Sequence, residues 1–264
     1  MVKVTRRDFL KMAGAAGAGM AALGAGILGW KSIAESDEKS GTEMSKSTPY
    51  TWVRFLAGPN ETILRPLTAD LDGTVNHYII KEVIPVIGEA PPTLMQNKSI
   101  LRIETSVPFS DETLSHGDSA ITQFHGIRQH LHYTSEAQRQ ELSKDARPEV
   151  EPSDHTTAVL IPIAKSEEWW KLPQDQRQAY FRKTDTHPGH TAIGLKYVDR
   201  VFRKLYHSRY LNAALGYDFL TYFEFEDVYA DDFKALLAEL RDTNINPEWA
   251  YVNREFEIWM TKVA

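Results

Sequence analysis

The chain has 264 residues, of which 42% are apolar and 11% aromatic, with 30 basic against 36 acidic residues and no cysteine. This length and composition suit one or two globular domains and exclude wholesale disorder, collagen-like repeats and a multi-span membrane protein. Without cysteine there are no disulfides, thiolate metal sites, iron–sulfur clusters or catalytic thiol, and a formal charge of −6 argues against a nucleic-acid partner, which needs a basic face.

At the amino terminus, Arg6-Arg7-Asp8-Phe9-Leu10-Lys11 precedes the uncharged, Ala/Gly-rich run Met12–Trp30, which Lys31 closes. A paired arginine before a mildly apolar stretch is the twin-arginine export pattern. So much glycine makes a poor membrane-spanning helix, so residues 1–34 read as a signal peptide, with small residues at Ser32 and Ala34 for cleavage. No stable membrane span is expected once it is removed. Export by this route implies a protein that crosses the membrane folded, as cofactor-loaded proteins commonly do, and a periplasmic location. Loss of residues 1–34 removes five basic residues and one acidic residue, leaving 25 against 35 and a balance of −10. Residues 35–48 are polar and read as a flexible linker.

From Tyr50 onward, strand-like and helix-like stretches alternate. Thr51–Ala57 and His77–Ile87 carry β-branched and aromatic residues at strand density. Pro91–His116 reads as loop. Phe124–Tyr133 predicts a strand, and Ser135 to Lys144 a helix. Thr156–Ala164, an almost continuous apolar run, predicts a central strand covered on both faces. A helical segment follows from Ser166 to Thr184, broken by Pro173, and another helix begins near Pro188. Tyr197–His207 and Asp218–Glu226 alternate as paired antiparallel strands. Ala230–Arg241 is an amphipathic helix and Ala250–Met260 a last strand. The pattern predicts an α+β protein of two related halves, residues 49–155 and 156–264.

With no cysteine, the nine histidines are the candidate ligands for a transition metal or haem. His130 and His132 would share one face of a strand and could clamp a metal, with His125 a further candidate. His187 and His190, at a helix start, are compatible with a metal or with one ligand and one bystander. Lys165 and Trp169, four apart, would share a helical face and line one cavity, next to Trp170. Arg203 shares a strand face with Val201 and Leu205, where a guanidinium is costly unless it meets an anion or a carboxylate.

The run Leu160-Ile161-Pro162-Ile163-Ala164-Lys165-Ser166-Glu167-Glu168-Trp169-Trp170 resembles the signature of the chlorite dismutase family. So do Arg203-Lys204-Leu205-Tyr206-His207-Ser208, Asp218-Phe219-Leu220-Thr221-Tyr222-Phe223-Glu224 and Glu248-Trp249-Ala250-Tyr251. The likeness covers about Gly126–Trp259 and is closest to the family's short-chain branch. It implies two ferredoxin-like halves forming a dimeric α/β-barrel-type haem protein, with b-type haem as cofactor. The family's haem-ligating histidine lies thirteen residues before its distal arginine, which points to His190 and Arg203. Glu248 would accept a hydrogen bond from the other ring nitrogen of His190. Lys165, Trp169 and Tyr133 would sit beside the haem, and Trp170 at a subunit contact. The implied reaction converts chlorite to chloride and dioxygen, with Arg203 as the catalytic cation. A homo-oligomer is implied, a homodimer ahead of a pentamer. Alternatives are a periplasmic haem carrier or sensor, a relative of the coprohaem decarboxylases, and a copper or zinc protein using His125, His130 and His132.

Overall fold

Eight antiparallel strands close into a barrel in the computed structural model, which describes residues 52–69, 71–109, 120–128, 145–211 and 215–264. The signal peptide, the linker, the helix expected at 135–144, and His130, His132 and Tyr133 lie outside the described residues. The strands are β1 (Trp52–Gly58), β2 (Thr74–Ile87), β3 (Ser99–Thr105), β4 (Thr122–Arg128), β5 (Thr156–Lys165), β6 (Phe202–His207), β7 (Phe219–Glu226) and β8 (Val252–Lys262). Around the barrel they run β1-β3-β2-β8-β5-β7-β6-β4. Each group of four consecutive strands is contiguous in the wall and follows the same order: fourth, first, third, second.

The apolar run Thr156–Lys165 is a central strand because both of its faces are covered. Ala158 and Leu160 point into the barrel with Tyr78, Tyr222 and Ile258, while Val159, Ile161 and Ile163 face outward. That outer face packs against an amphipathic helix, Ala230–Arg241. Its residues Phe233, Leu236, Leu237 and Leu240, at helical spacing, reach Phe223 and Phe225. The rings of Phe225 and Phe233 stack at 4.6 Å.

Three expectations shift. Pro91–His116 is not all loop, since it contains β3, every residue of which is buried. The Pro91-Pro92 pair and the serines give the stretch a loop-like composition, but its Arg102 and Glu104 side chains turn into the barrel and pair there. Tyr197–Val201 is not strand: Arg200 and Val201 donate to the Tyr197 carbonyl, so the chain coils until Phe202. Lys165 ends β5 instead of opening a helix. The helical segment after it divides into α1 (Glu167–Lys171) and α2 (Gln174–Phe181). Leu172 is extended (φ −63°, ψ 136°), as a residue before proline must be. A third helix, α3, spans Gly189–Leu195.

The two groups of four strands meet along two seams. Eight residue pairs join β2 to β8. Among the described residues β4 and β6 share two, Ile127 with His207 and Arg128 with Tyr206.

Candidate functional site

Gly189 sets the position of the site. Its φ is +76°, and a Cβ there would lie 2.4 Å from the Arg182 carbonyl oxygen. Only glycine lets the chain turn into α3 against that backbone, and the turn places His190 on the helix's first turn. Facing it is a 3₁₀ helix, Pro247–Tyr251, that presents Glu248.

His190 Nδ1 lies 3.0 Å from Glu248 Oε2, and Glu248 Oε1 lies 2.8 Å from Lys165 Nζ. The Lys165 and Glu248 side chains are 3% and 5% exposed, so this ion pair is enclosed by protein. Lys165 Nζ also donates to the Glu248 carbonyl at 3.2 Å. It stands over the indoles of Trp169 and Trp249, at 4.8 and 5.3 Å from the ring centroids. The predicted Lys165–Trp169 contact is therefore present, made from a strand end to a helix. The Lys165 backbone is pinned as well, its N–H donating to Asp218 Oδ2 at 2.6 Å.

Burial by itself would raise the pKa of Glu248, but Lys165 and His190 hold it at about 2. Glu248 is thus an ionised carboxylate that can only accept hydrogen bonds, which makes His190 Nδ1 the donor; in the neutral imidazole the lone pair then sits on Nε2. Arg203 Nη2, 3.4 Å from Nε2, donates to that lone pair, since a guanidinium accepts no hydrogen bond. Arg203 forms no ion pair within 4.0 Å among the described residues. Its surface is accessible, yet the surrounding protein desolvates it enough to lower its pKa, opposed by the charge of Glu248. An accessible group ringed by protein lies in a concavity, and this one is walled near His190 by Phe181 and Trp249, whose rings lie 5.8 and 6.3 Å from the imidazole.

An imidazole with a carboxylate behind Nδ1 and a lone pair on Nε2 is equipped to hold a metal. Among the described residues no group of three or more His, Asp or Glu could share an ion. The His187 ring stacks on Tyr180, with centroids 6.5 Å apart. His125 is buried beside Phe109, and burial, with Arg54 nearby, lowers its pKa to about 3.

Trp169 is buried against Tyr180, Phe181 and Tyr251. Trp170 turns elsewhere. Its Nε1 donates to Asp218 Oδ2 at 3.2 Å, its ring stacks on Phe219, and the Arg209 guanidinium lies 4.1 Å above it. Trp249 and Asp218 are part of the site but were not among the candidates. Adjacency to Glu248 was the available signal for Trp249. Its indole N–H donates to the buried Glu255 at 3.1 Å, which Arg241 holds at 2.6 Å.

Fold and site together describe an α+β antiparallel barrel with a carboxylate-backed histidine and an arginine at one concavity on its outer face. A family model described as chlorite dismutase matches residues 108–262. The chain belongs to the chlorite dismutase family. A model of the twin-arginine translocation signal sequence matches residues 3–26. A chlorite dismutase of Ideonella dechloratans is 32% identical over 126 residues, which are 47% of this chain and 41% of that protein, so the match spans less than half of the relative's length. The crystal structure of a dimeric chlorite dismutase from Nitrobacter winogradskyi is 29% identical, covering 80% of this chain and 99% of that one at a TM-score of 0.57. A mutant chlorite dismutase from Candidatus Nitrospira defluvii, in complex with cyanide, shares the fold at 22% identity and a TM-score of 0.58, over 82% and 92% of the two chains.

Proposed function

We propose that this protein is a haem b enzyme that converts chlorite to chloride and dioxygen after export to the periplasm. The observation that carries the reading is the connected set Lys165–Glu248–His190–Arg203, held together in a chain of this family. Bound haem would supply a ferric iron able to take the anion and move its oxygen atoms. His190 Nε2 would hold that iron, in place of the hydrogen bond that Arg203 makes there. Glu248 would keep the Nδ1 proton and make the imidazole a stronger donor, with Lys165 balancing the carboxylate's charge. Arg203, freed for the anion, is a permanent cation that keeps its charge throughout the reaction. With the mature chain near −10, substrate attraction would rest on this local charge and not on the protein's overall field. Trp169 would form part of the haem surround, with Tyr133 and Trp170 as further candidates.

The shared strand order of the two barrel groups supports a pair of ferredoxin-like halves, 49–155 and 156–264. The dimeric relative supports a homodimer. An oxygen electrode tests the function: haem-loaded protein given chlorite should release one dioxygen per chlorite, and Arg203→Ala should slow this and raise hypochlorite leakage. A haem-loaded protein that releases no oxygen would be a carrier instead, and the reading would fall.

A further inference from the structure

The barrel interior holds three cations and three carboxylates at one end. Arg102 pairs with Glu224 and Glu149, and Lys262 with Glu224 at 3.0 Å and Glu149 at 3.2 Å. Lys204 pairs with Glu104 at 2.8 Å and Glu149 at 3.1 Å. Ion clusters of this kind stabilise a fold less than apolar packing of the same volume would, so a positioning role is worth seeking. Lys204 follows Arg203 on β6. Successive strand residues face opposite sides, so Lys204 enters the barrel where Arg203 leaves it.

β7 pairs with β6 along all six residues, Phe202 to His207. On the other edge, among the described residues, β4 reaches only Tyr206 and His207. Across the barrel, β3 supplies Glu104, and the segment before β5 supplies Glu149, both to the Lys204 ammonium. Those ties fasten β6 at Lys204 to β3 and to the segment before β5 through the barrel interior, beside its ladder with β7.

We infer that Lys204 is a positioning residue: its ion pairs with Glu104 and Glu149 fix the path of β6 and thereby aim Arg203 at His190 Nε2. The inference rests on the functional reading for its significance but not for its test, which begins with haem-free protein. In that form the ¹⁵N resonance of His190 Nε2 reports the hydrogen bond from Arg203, and Arg203→Ala defines its loss. Lys204→Met should move the resonance toward the Arg203→Ala position, and Lys204→Arg should keep it at the wild-type position. Lys262→Met dismantles the other side of the same cluster, so it should cost stability while leaving the resonance in place. On haem-loaded protein, Lys204→Met should weaken nitrite binding, read from the absorption spectrum, by about 10- to 100-fold, the scale of a misplaced binding group. If Lys204→Met leaves the His190 resonance unchanged, or Lys262→Met moves it as far, Lys204 is merely structural and the inference is overturned. Should Lys204→Met fail to fold, Glu104→Gln decides: a partial shift in the same direction supports the inference, and an unchanged resonance overturns it. A wild type that shows these shifts but decomposes no chlorite would refute the proposed function alone.

Discussion

Lys165→Met should shift the acid stability of the protein through Glu248. Folding lowers the Glu248 pKa from 4.5 to about 2 against the cost of burial, with Lys165 the largest favourable influence and His190 the next. At about 1.4 kcal/mol per unit, that depression is worth roughly 3 kcal/mol. The sign follows from the lowered folded-state value: the stabilisation is complete above pH 4.5 and is lost as pH falls toward 2. Removing the ammonium 2.8 Å away leaves a buried carboxylate facing only His190, a loss on the order of 3–5 kcal/mol near neutral pH. The Glu248 pKa then rises, so the variant loses less stability on acidification than the wild type does. Urea unfolding of haem-free protein at half-unit steps from pH 2.5 to 7 measures both curves, whose separation should be greatest near neutrality and narrow below pH 4. Parallel curves, separated equally at every pH, would show that Glu248 does not depend on Lys165 and would refute the electrostatic account of the pair.

Other consequences are simpler to read. His190→Ala should abolish haem retention, seen as a missing Soret band after reconstitution; a normally loaded variant would sink the ligand assignment. Gly189→Ala puts a Cβ 2.4 Å from the Arg182 carbonyl at a φ of +76°, so it should cost about 1–3 kcal/mol in denaturant unfolding and lower haem affinity as α3 shifts. Arg102→Met leaves Glu224 and Glu149 to the lysines alone, Lys262 for both and Lys204 for Glu149, and should destabilise the protein by about 3–5 kcal/mol at pH 7. That deficit should shrink in acid, where the carboxylates can protonate.

His190 and Arg203 were legible through the family's register, whereas the residues alone left His187 and His190 both open. His190 and Arg203 are thirteen residues apart, and the structure brings their side chains within 3.4 Å. The run Thr156–Ala164 announced a doubly covered strand, and Ala230–Arg241 announced its helix by an apolar stripe. β3 escaped notice because the Pro91-Pro92 pair and the serines give its stretch a loop-like composition, and a sequence pattern cannot distinguish charges paired across a barrel, such as Arg102 and Glu104, from charges in water. The Lys165–Glu248 pair spans 83 residues, so no local pattern reveals it. Glu248 came from family likeness, and its ionised state from the packing around it.

The seam between β2 and β8 bears on which part of the barrel opens last. Eight paired residues hold β2 to β8, with the Val263 N–H bonded to the His77 carbonyl just beyond, whereas β4 and β6 share two pairs among the described residues. Amide protons of β8 should therefore be among the slowest in the barrel to exchange with solvent. β5, which ends in Lys165, pairs with the other edge of β8, so this side of the site is anchored to that seam.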